Sequence, residues 1–157
     1  MSSDIIFIIF DVIYIILLTT ASVTDIKYRK IPNKINIIIL LLALIKSIIQ
    51  LALFGSKDIF SSLAGFTVAL IFVGIPYLLH DNMGAGDLKL SAFSGIYLGF
   101  YHTLTLLAVS YISCAIFAVV INVFKRITKK PKITTLPFAP FVLFGSLYLF
   151  AINYILK

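Results

Sequence analysis

The sequence predicts an all-α polytopic membrane protein of about six transmembrane helices with both termini on the non-cytoplasmic side. Three observations carry that reading. Of the 157 residues, 61% are apolar, and the mean hydropathy is +1.12, whereas soluble domains are about 45–50% apolar. The apolar residues form continuous runs near or above the roughly 20 needed to cross a hydrocarbon core of about 30 Å, not the alternation of barrel strands. The basic residues cluster at the ends of those runs. Helices satisfy their own backbone in lipid, so each run is read as one helix. The whole chain, 1–157, reads as a single membrane-embedded domain.

The first apolar block covers about residues 5–24. The preceding "MSSDIIF" has no basic stretch, so the block reads as a retained span and not a signal peptide. It ends at "RKIPNK", where Pro32 interrupts the helix and Asn33 is placed to cap the second one, about 35–54. "GSKD" reads as a tight outer turn into the third, 59–79. If residues 88–124 formed one helix it would measure roughly 55 Å at about 1.5 Å per residue, nearly twice the bilayer core. Two helices with a turn near Gly99 to His102 fit better. The sixth covers about 137–156, with Pro137 suited to its first turn.

Charge placement tests the count independently. Lys27, Arg29, Lys30 and Lys34 lie between the first two spans, and Lys125, Arg126, Lys129, Lys130 and Lys132 precede the last. Six spans put both clusters on one face with Lys89, leaving Lys57 and Lys157 on the other; five would separate the clusters. The positive-inside rule selects six and makes that face cytoplasmic. The net charge of +7 then reports orientation and not nucleic-acid binding. The basic loops are candidates for anionic lipid headgroups. A single cysteine, Cys114, excludes an internal disulfide and a cysteine-rich zinc site, and reads as a small packing residue.

All six acidic residues are aspartates. Asp4 and Asp58 fall in outer segments as solvated charges, and Asp11 early in the first span, as an interfacial or bundle-facing structural group. Asp25 and Asp87 differ, because both stand where an apolar span meets the cytoplasm, at matching depth. Ionisable groups so placed are costly and tend to face the bundle interior or water. Gly84 and Gly86, just before Asp87, open backbone angles and leave room for a strand or helix to approach it. Two carboxylates sharing a site cannot both ionise cheaply, so one keeps a proton. That arrangement suits peptide hydrolysis: the ionised group takes a proton from attacking water while the protonated one polarises the scissile carbonyl. Paired acids alone also fit a small proton- or cation-coupled transporter. Against that stand the clustering of both acids at one face and the absence of further polar groups along a path to the other.

Three segments, "TDIKYRKIPN" at 24–33, "GAGDLKLSAFSGIYLG" at 84–99 and "LPFAPFVLFG" at 136–145, resemble the signature segments of the type IV prepilin peptidases and their preflagellin relatives, GxGD-type intramembrane aspartyl proteases. The resemblance covers the whole chain in order. It implies that Asp25 and Asp87 are the catalytic pair. The implied partner is a type IV pilin-like precursor, of Flp/Tad type or archaellin-like, cut at the cytoplasmic face of the cell membrane between a short basic leader and the helix that follows. No cofactor is implied, and a metal would need ligands that this topology separates.

Other motif residues carry open readings. Gly84 and Gly86 shape the site or are plain turn glycines. Lys89, two positions after Asp87, points away from it on a helix and reads as an interfacial anchor. Arg29 and Asn33 position substrate, or serve as topology determinant and helix cap, with Pro32 between them. Pro137, Phe138 and Pro140 shape the start of the last helix or simply pack there. Asp81, beside His80, is a solvated loop charge or an attractor of the leader. Larger family members carry an added domain with paired CxxC motifs and an N-methyltransferase activity. With one cysteine and no such insertion, this chain is expected to cleave without methylating.

Overall fold

The computed structural model describes residues 2–55, 57–79, 84–129 and 135–155. They form α1 (Ser2–Tyr28), α2 (Asn33–Phe54), α3 (Lys57–Leu79), α4 (Ala85–Leu98), α5 (Phe100–Ile127) and α6 (Ala139–Ile155). No strand occurs among the described residues. Four stretches are long and apolar enough to cross a membrane: Ile5–Tyr28, Asn33–Leu53, Ile59–Leu79 and Phe100–Ile127. The chain is a multi-pass membrane protein, and its outer surface carries Ile16, Leu41, Phe72 and Ile116 as lipid-facing side chains. His80, Asp81, Lys130, Lys132 and Lys157 lie outside the described residues, as do the side chains of Asp4, Lys57 and Asp58.

The turn between α4 and α5 is a single residue, Gly99, at φ +77, a left-handed conformation that glycine adopts without strain. It leaves α4 with 14 residues and α5 with 28, about 21 and 42 Å at about 1.5 Å per residue. So α4 does not reach across a bilayer core by itself. Its place is set by the closest helix contact in the bundle, against α3. A Cβ on Gly95 would stand 2.5 Å from the Gly65 carbonyl oxygen, so the two backbones touch directly. Small residues permit such approach where no hydrophobic force drives helices together within lipid. At the same end the Ser61 hydroxyl accepts the Phe100 N–H at 3.0 Å, securing the start of α5 to α3.

Two helix starts differ from the sequence reading. Asn33 is the first residue of α2 and not its cap; Pro32 holds the cap position with φ −61 and ψ 132, and no side chain caps the helix. The last helix begins at Ala139, with the Phe138 carbonyl accepting the N–H groups of Phe141 and Val142 at 3.0 and 3.2 Å. Pro137 therefore precedes the helix, and Pro140 is the proline of its first turn. The reason is a contact from elsewhere in the chain: the Ala139 N–H is held by a side chain of α1.

The core runs along the bundle through Tyr14, Leu18 and Ala21 of α1, Ile39 of α2, Leu90 and Tyr97 of α4, Leu106 of α5, and Val142 of α6. Helix α1 packs on α2 and α6, while α4 packs on α2, α3, α5 and the edge of α6. No Cα of α1 comes within 8 Å of one of α4.

The glycine contact makes a prediction. Gly95→Ala should cost about 1–3 kcal/mol by overpacking and lower the midpoint of thermal unfolding in detergent. Gly74→Ala should not, because its Cβ would meet only Leu88 Cδ1 at an ordinary 3.7 Å. Equal midpoints for the two variants would contradict the close packing of α3 on α4.

Candidate active site

Asp25 lies in the last turn of α1 and is 5% exposed. A carboxylate so placed needs donors, and α6 supplies them, since the first amides of any helix lack intrahelical partners. The Ala139 N–H donates to Asp25 Oδ2 at 3.2 Å, and the Phe138 amide also bonds to this carboxylate. Asp25 thus caps a helix 114 residues away in sequence.

Asp87 lies in the first turn of α4. Its N–H donates to the Gly84 carbonyl at 3.0 Å, which closes the first turn with its carboxylate beside Gly84. Oδ1 of Asp87 is buried and takes no hydrogen bond from the described residues. At both glycines a side chain would be tight against its neighbours. A Cβ on Gly84 would lie 3.3 Å from Asp87 Oδ2, and one on Gly86 would lie 3.1 Å from the Cβ of Ile31.

The two carboxylates line one small cleft of about 210 Å³, with Arg29, Lys30, Ile31, Gly84, Ala85 and Gly86. They are close enough for the charge of Asp25 to act on Asp87. Three contacts fix the rim. The Arg29 guanidinium donates to the Thr135 carbonyl at 3.0 Å, tying the end of α1 to the approach to α6. Arg29 itself turns out of α1 at φ +54, and its N–H donates to the Asp25 carbonyl at 2.9 Å. Lys89 donates to Asn33 Oδ1 at 3.2 Å, joining α4 to α2. A separate apolar groove of about 750 Å³ is lined among others by Ile26, Phe117, Val120, Pro137, Pro140 and Phe141.

Of the residues singled out from sequence, the cleft brings together Asp25, Asp87, Gly84, Gly86 and Arg29. Lys89 and Asn33 pair with each other on an exposed rim. Pro137 and Pro140 line the groove. Phe138 is buried, with its ring on Tyr111 at 5.2 Å between centroids. Pro32 does not line the cleft and serves as the start of α2. Among the described residues no group of three or more His, Cys, Asp or Glu side chains could hold a metal ion.

Sequence reasoning missed Asn36, Ile31 and the Ala139 amide. Asn36 is 1% exposed, and its Nδ2 donates to the Gly86 carbonyl at 3.3 Å, holding the glycine turn from α2. Its signal was available, as the lone amide within the apolar run "INIIILLLALI".

The model of the type IV leader peptidase family matches residues 12–119. This chain belongs to that family. It is 28% identical over 138 residues to the prepilin leader peptidase/N-methyltransferase of Escherichia coli (strain K12), covering 86% of this chain and 59% of that protein. Its identity to the protein of the same name from Bacillus subtilis (strain 168) is 31% over 138 residues, covering 87% and 52%. The chain thus spans 52–59% of the length of these relatives. No solved structure matches it.

Asn36→Ala should loosen the first turn of α4 by removing the side-chain donor that α2 gives to the Gly86 carbonyl, a loss of about 0.5–1.5 kcal/mol for one hydrogen bond. Hydrogen exchange at Asp87 and Leu88, whose N–H groups bond to the Gly84 carbonyl at 3.0 and 3.5 Å, should rise in the variant. Unchanged exchange there would show that Asn36 does not hold the turn.

Proposed function

We propose that this chain is an intramembrane aspartic endopeptidase that removes the short basic leader from pilin-like precursors, of the Flp/Tad or archaellin-like kind. The observation that carries the reading is the meeting of Asp25 and Asp87, from helices whose backbones do not touch, on one cleft. The relatives' names, prepilin leader peptidase/N-methyltransferase, point to the same substrate class.

In this reading one aspartate is ionised and the other protonated. The ionised group takes a proton from a water molecule as its oxygen attacks the scissile carbonyl. The protonated group donates to the carbonyl oxygen, stabilising the tetrahedral intermediate. Collapse of that intermediate breaks the C–N bond, and the departing nitrogen leaves protonated as the dyad returns to its starting state. Asp87 Oδ1 takes no hydrogen bond from the described residues and so is free to serve this chemistry. The glycines keep the approach to Asp87 narrow but unobstructed.

The apolar groove suits the first turns of the substrate helix that follows the scissile bond. Its lining includes Ile26, the residue after Asp25, and Pro137 and Pro140, on either side of the Phe138–Ala139 pair whose Ala139 amide Asp25 accepts. Arg29 and Lys30 line the cleft itself, so a basic leader meets basic groups there. Anionic lipid headgroups at the loops would screen that repulsion. In this reading the cleft faces the cytoplasm and both termini lie on the other side of the cell membrane, an orientation the basic clusters favour by the positive-inside rule. Residues 1–157 act as one domain in this reading.

The test is processing of a co-expressed pilin-like precursor, read by product mass, beside a control relative known to cut the same precursor. Loss of the leader is expected, and the mass also reports any methyl group on the new amino terminus. Val120→Trp, which fills the groove, should raise KM about tenfold, worth about 1.4 kcal/mol, at unchanged kcat. A precursor cut by the control but untouched by this chain would contradict the reading.

A further inference from the structure

At the opposite end of the bundle a second set of buried polar groups is built as closely as the cleft, and the proteolytic chemistry does not use it. Asp11 of α1 and Lys46 of α2 are each 9% exposed and form an ion pair at 3.2 Å. The hydroxyl of Tyr97, from α4, donates to the same Asp11 oxygen, and that of Tyr154, from α6, donates to Asp11 Oδ2 at 2.8 Å. The Lys46 ammonium also sits 3.8 Å from the centre of the Tyr97 ring. On its other side Tyr97 stacks on Tyr14 of α1, with centroids 4.3 Å apart and planes 13° from parallel. One carboxylate therefore gathers four helices.

We propose that this Asp11, Lys46, Tyr97 and Tyr154 cluster is a positioning device that sets how α1 and α4 stand relative to each other, and through them how Asp25 and Asp87 meet. The proposal rests on the proteolytic reading of the cleft. The two helices that carry the aspartates have no Cα atoms within 8 Å of each other, so side chains make their direct connection. Tyr97 supplies it, by its hydroxyl to Asp11 and its ring to Tyr14. From Asp11 to Asp25 is about 21 Å along α1, and from Tyr97 to Asp87 about 15 Å along α4. Each helix is thus held near one end by the cluster and carries its aspartate at the other.

Stability alone does not account for the arrangement. Exchanging a buried ion pair for apolar residues of similar volume is often neutral or favourable, and the best-attested use of such pairs is to fix register. Apolar packing tolerates a small rotation or slide of α4, whereas bonds to both oxygens of one carboxylate do not. Dyad chemistry is sensitive to that freedom, because displacement of about 1 Å can cost roughly a hundredfold in rate. Asp11, Lys46 and Tyr97 touch neither cleft nor groove, so they act through the aspartates and are not catalytic residues.

The test uses Tyr97→Phe, which keeps both ring contacts and removes one hydroxyl, and the double variant Asp11→Asn with Lys46→Met, which leaves no unpaired buried charge. Two readouts are taken in membranes: kcat and KM for precursor cleavage, and the distance distribution between spin labels placed at Lys27 and Lys89 in a Cys114→Ala background. We expect kcat to fall about tenfold in Tyr97→Phe and further in the double variant, with KM unchanged. The label distribution should broaden in both, while the thermal midpoint of Tyr97→Phe stays near that of the parent. An unchanged distribution and unchanged kcat in folded protein would overturn the proposal. So would a fall in kcat that follows only the fraction folded, with the distribution unmoved, because that marks a merely structural role. If the parent protein cuts no precursor that the control relative cuts, the proteolytic reading fails separately, and the label distances alone decide whether the cluster positions α1 against α4.

Discussion

A carboxylate at the edge of a hydrocarbon layer must find donors, and the places where Asp25 finds them organise one end of this bundle. Its partners are the first amides of α6, which would otherwise lack acceptors themselves. One contact therefore satisfies both a buried acid and a helix end, and it fixes where α6 begins. Asp87 stands in the first turn of its own helix, where the free amides of the helix start favour a carboxylate. The two acids are held at the ends of different helices, which gives them fixed positions without consuming every oxygen.

Several features of the fold follow from bringing those ends together. Helix α4 must stop short for its first turn to meet Ile31 and Asn36 while its far end lies against α3. Gly65, Gly95 and Gly99 make that possible by removing the side chains that would separate the two backbones. The α5–α6 contact uses the same device: a Cβ on Gly145 would stand 2.7 Å from Ser110 Oγ, and that hydroxyl donates to the Leu106 and Phe141 carbonyls at 2.7 and 3.0 Å. Glycine and serine stand in this protein where a soluble core would place leucine, as expected when van der Waals contact and hydrogen bonds must hold helices together in lipid.

The six helices, and the place of Asp25 and Asp87 on one cleft, were legible in the sequence because both depend on one-dimensional facts: run length, charge clustering and the depth at which an acid interrupts an apolar segment. The start of α6 was not. Proline at 137 is a sound local signal for a first turn, but the Asp25 contact to Ala139 overrides it, and that contact joins residues 114 apart. Asn36 and Gly86 are 50 apart. Helices apolar on every side also give no periodic cue to which face meets its neighbours, so Asn36, though visible as a lone amide, could not be aimed from sequence. Asp11 was read as structural and proves to be buried and paired, but its partners on α2, α4 and α6 have no local signature.

In the proposed protease, Asp25 and Asp87 act as one unit. This is tested most directly by the rate of precursor cleavage at equal membrane expression for Asp25→Asn, Asp87→Asn and the double variant. Groups that share one step are not additive, so all three should fall to the same background, the double variant no lower than either single one. Cleavage near the parental rate by either single variant, or a double variant that loses the sum of two independent deficits, would contradict it.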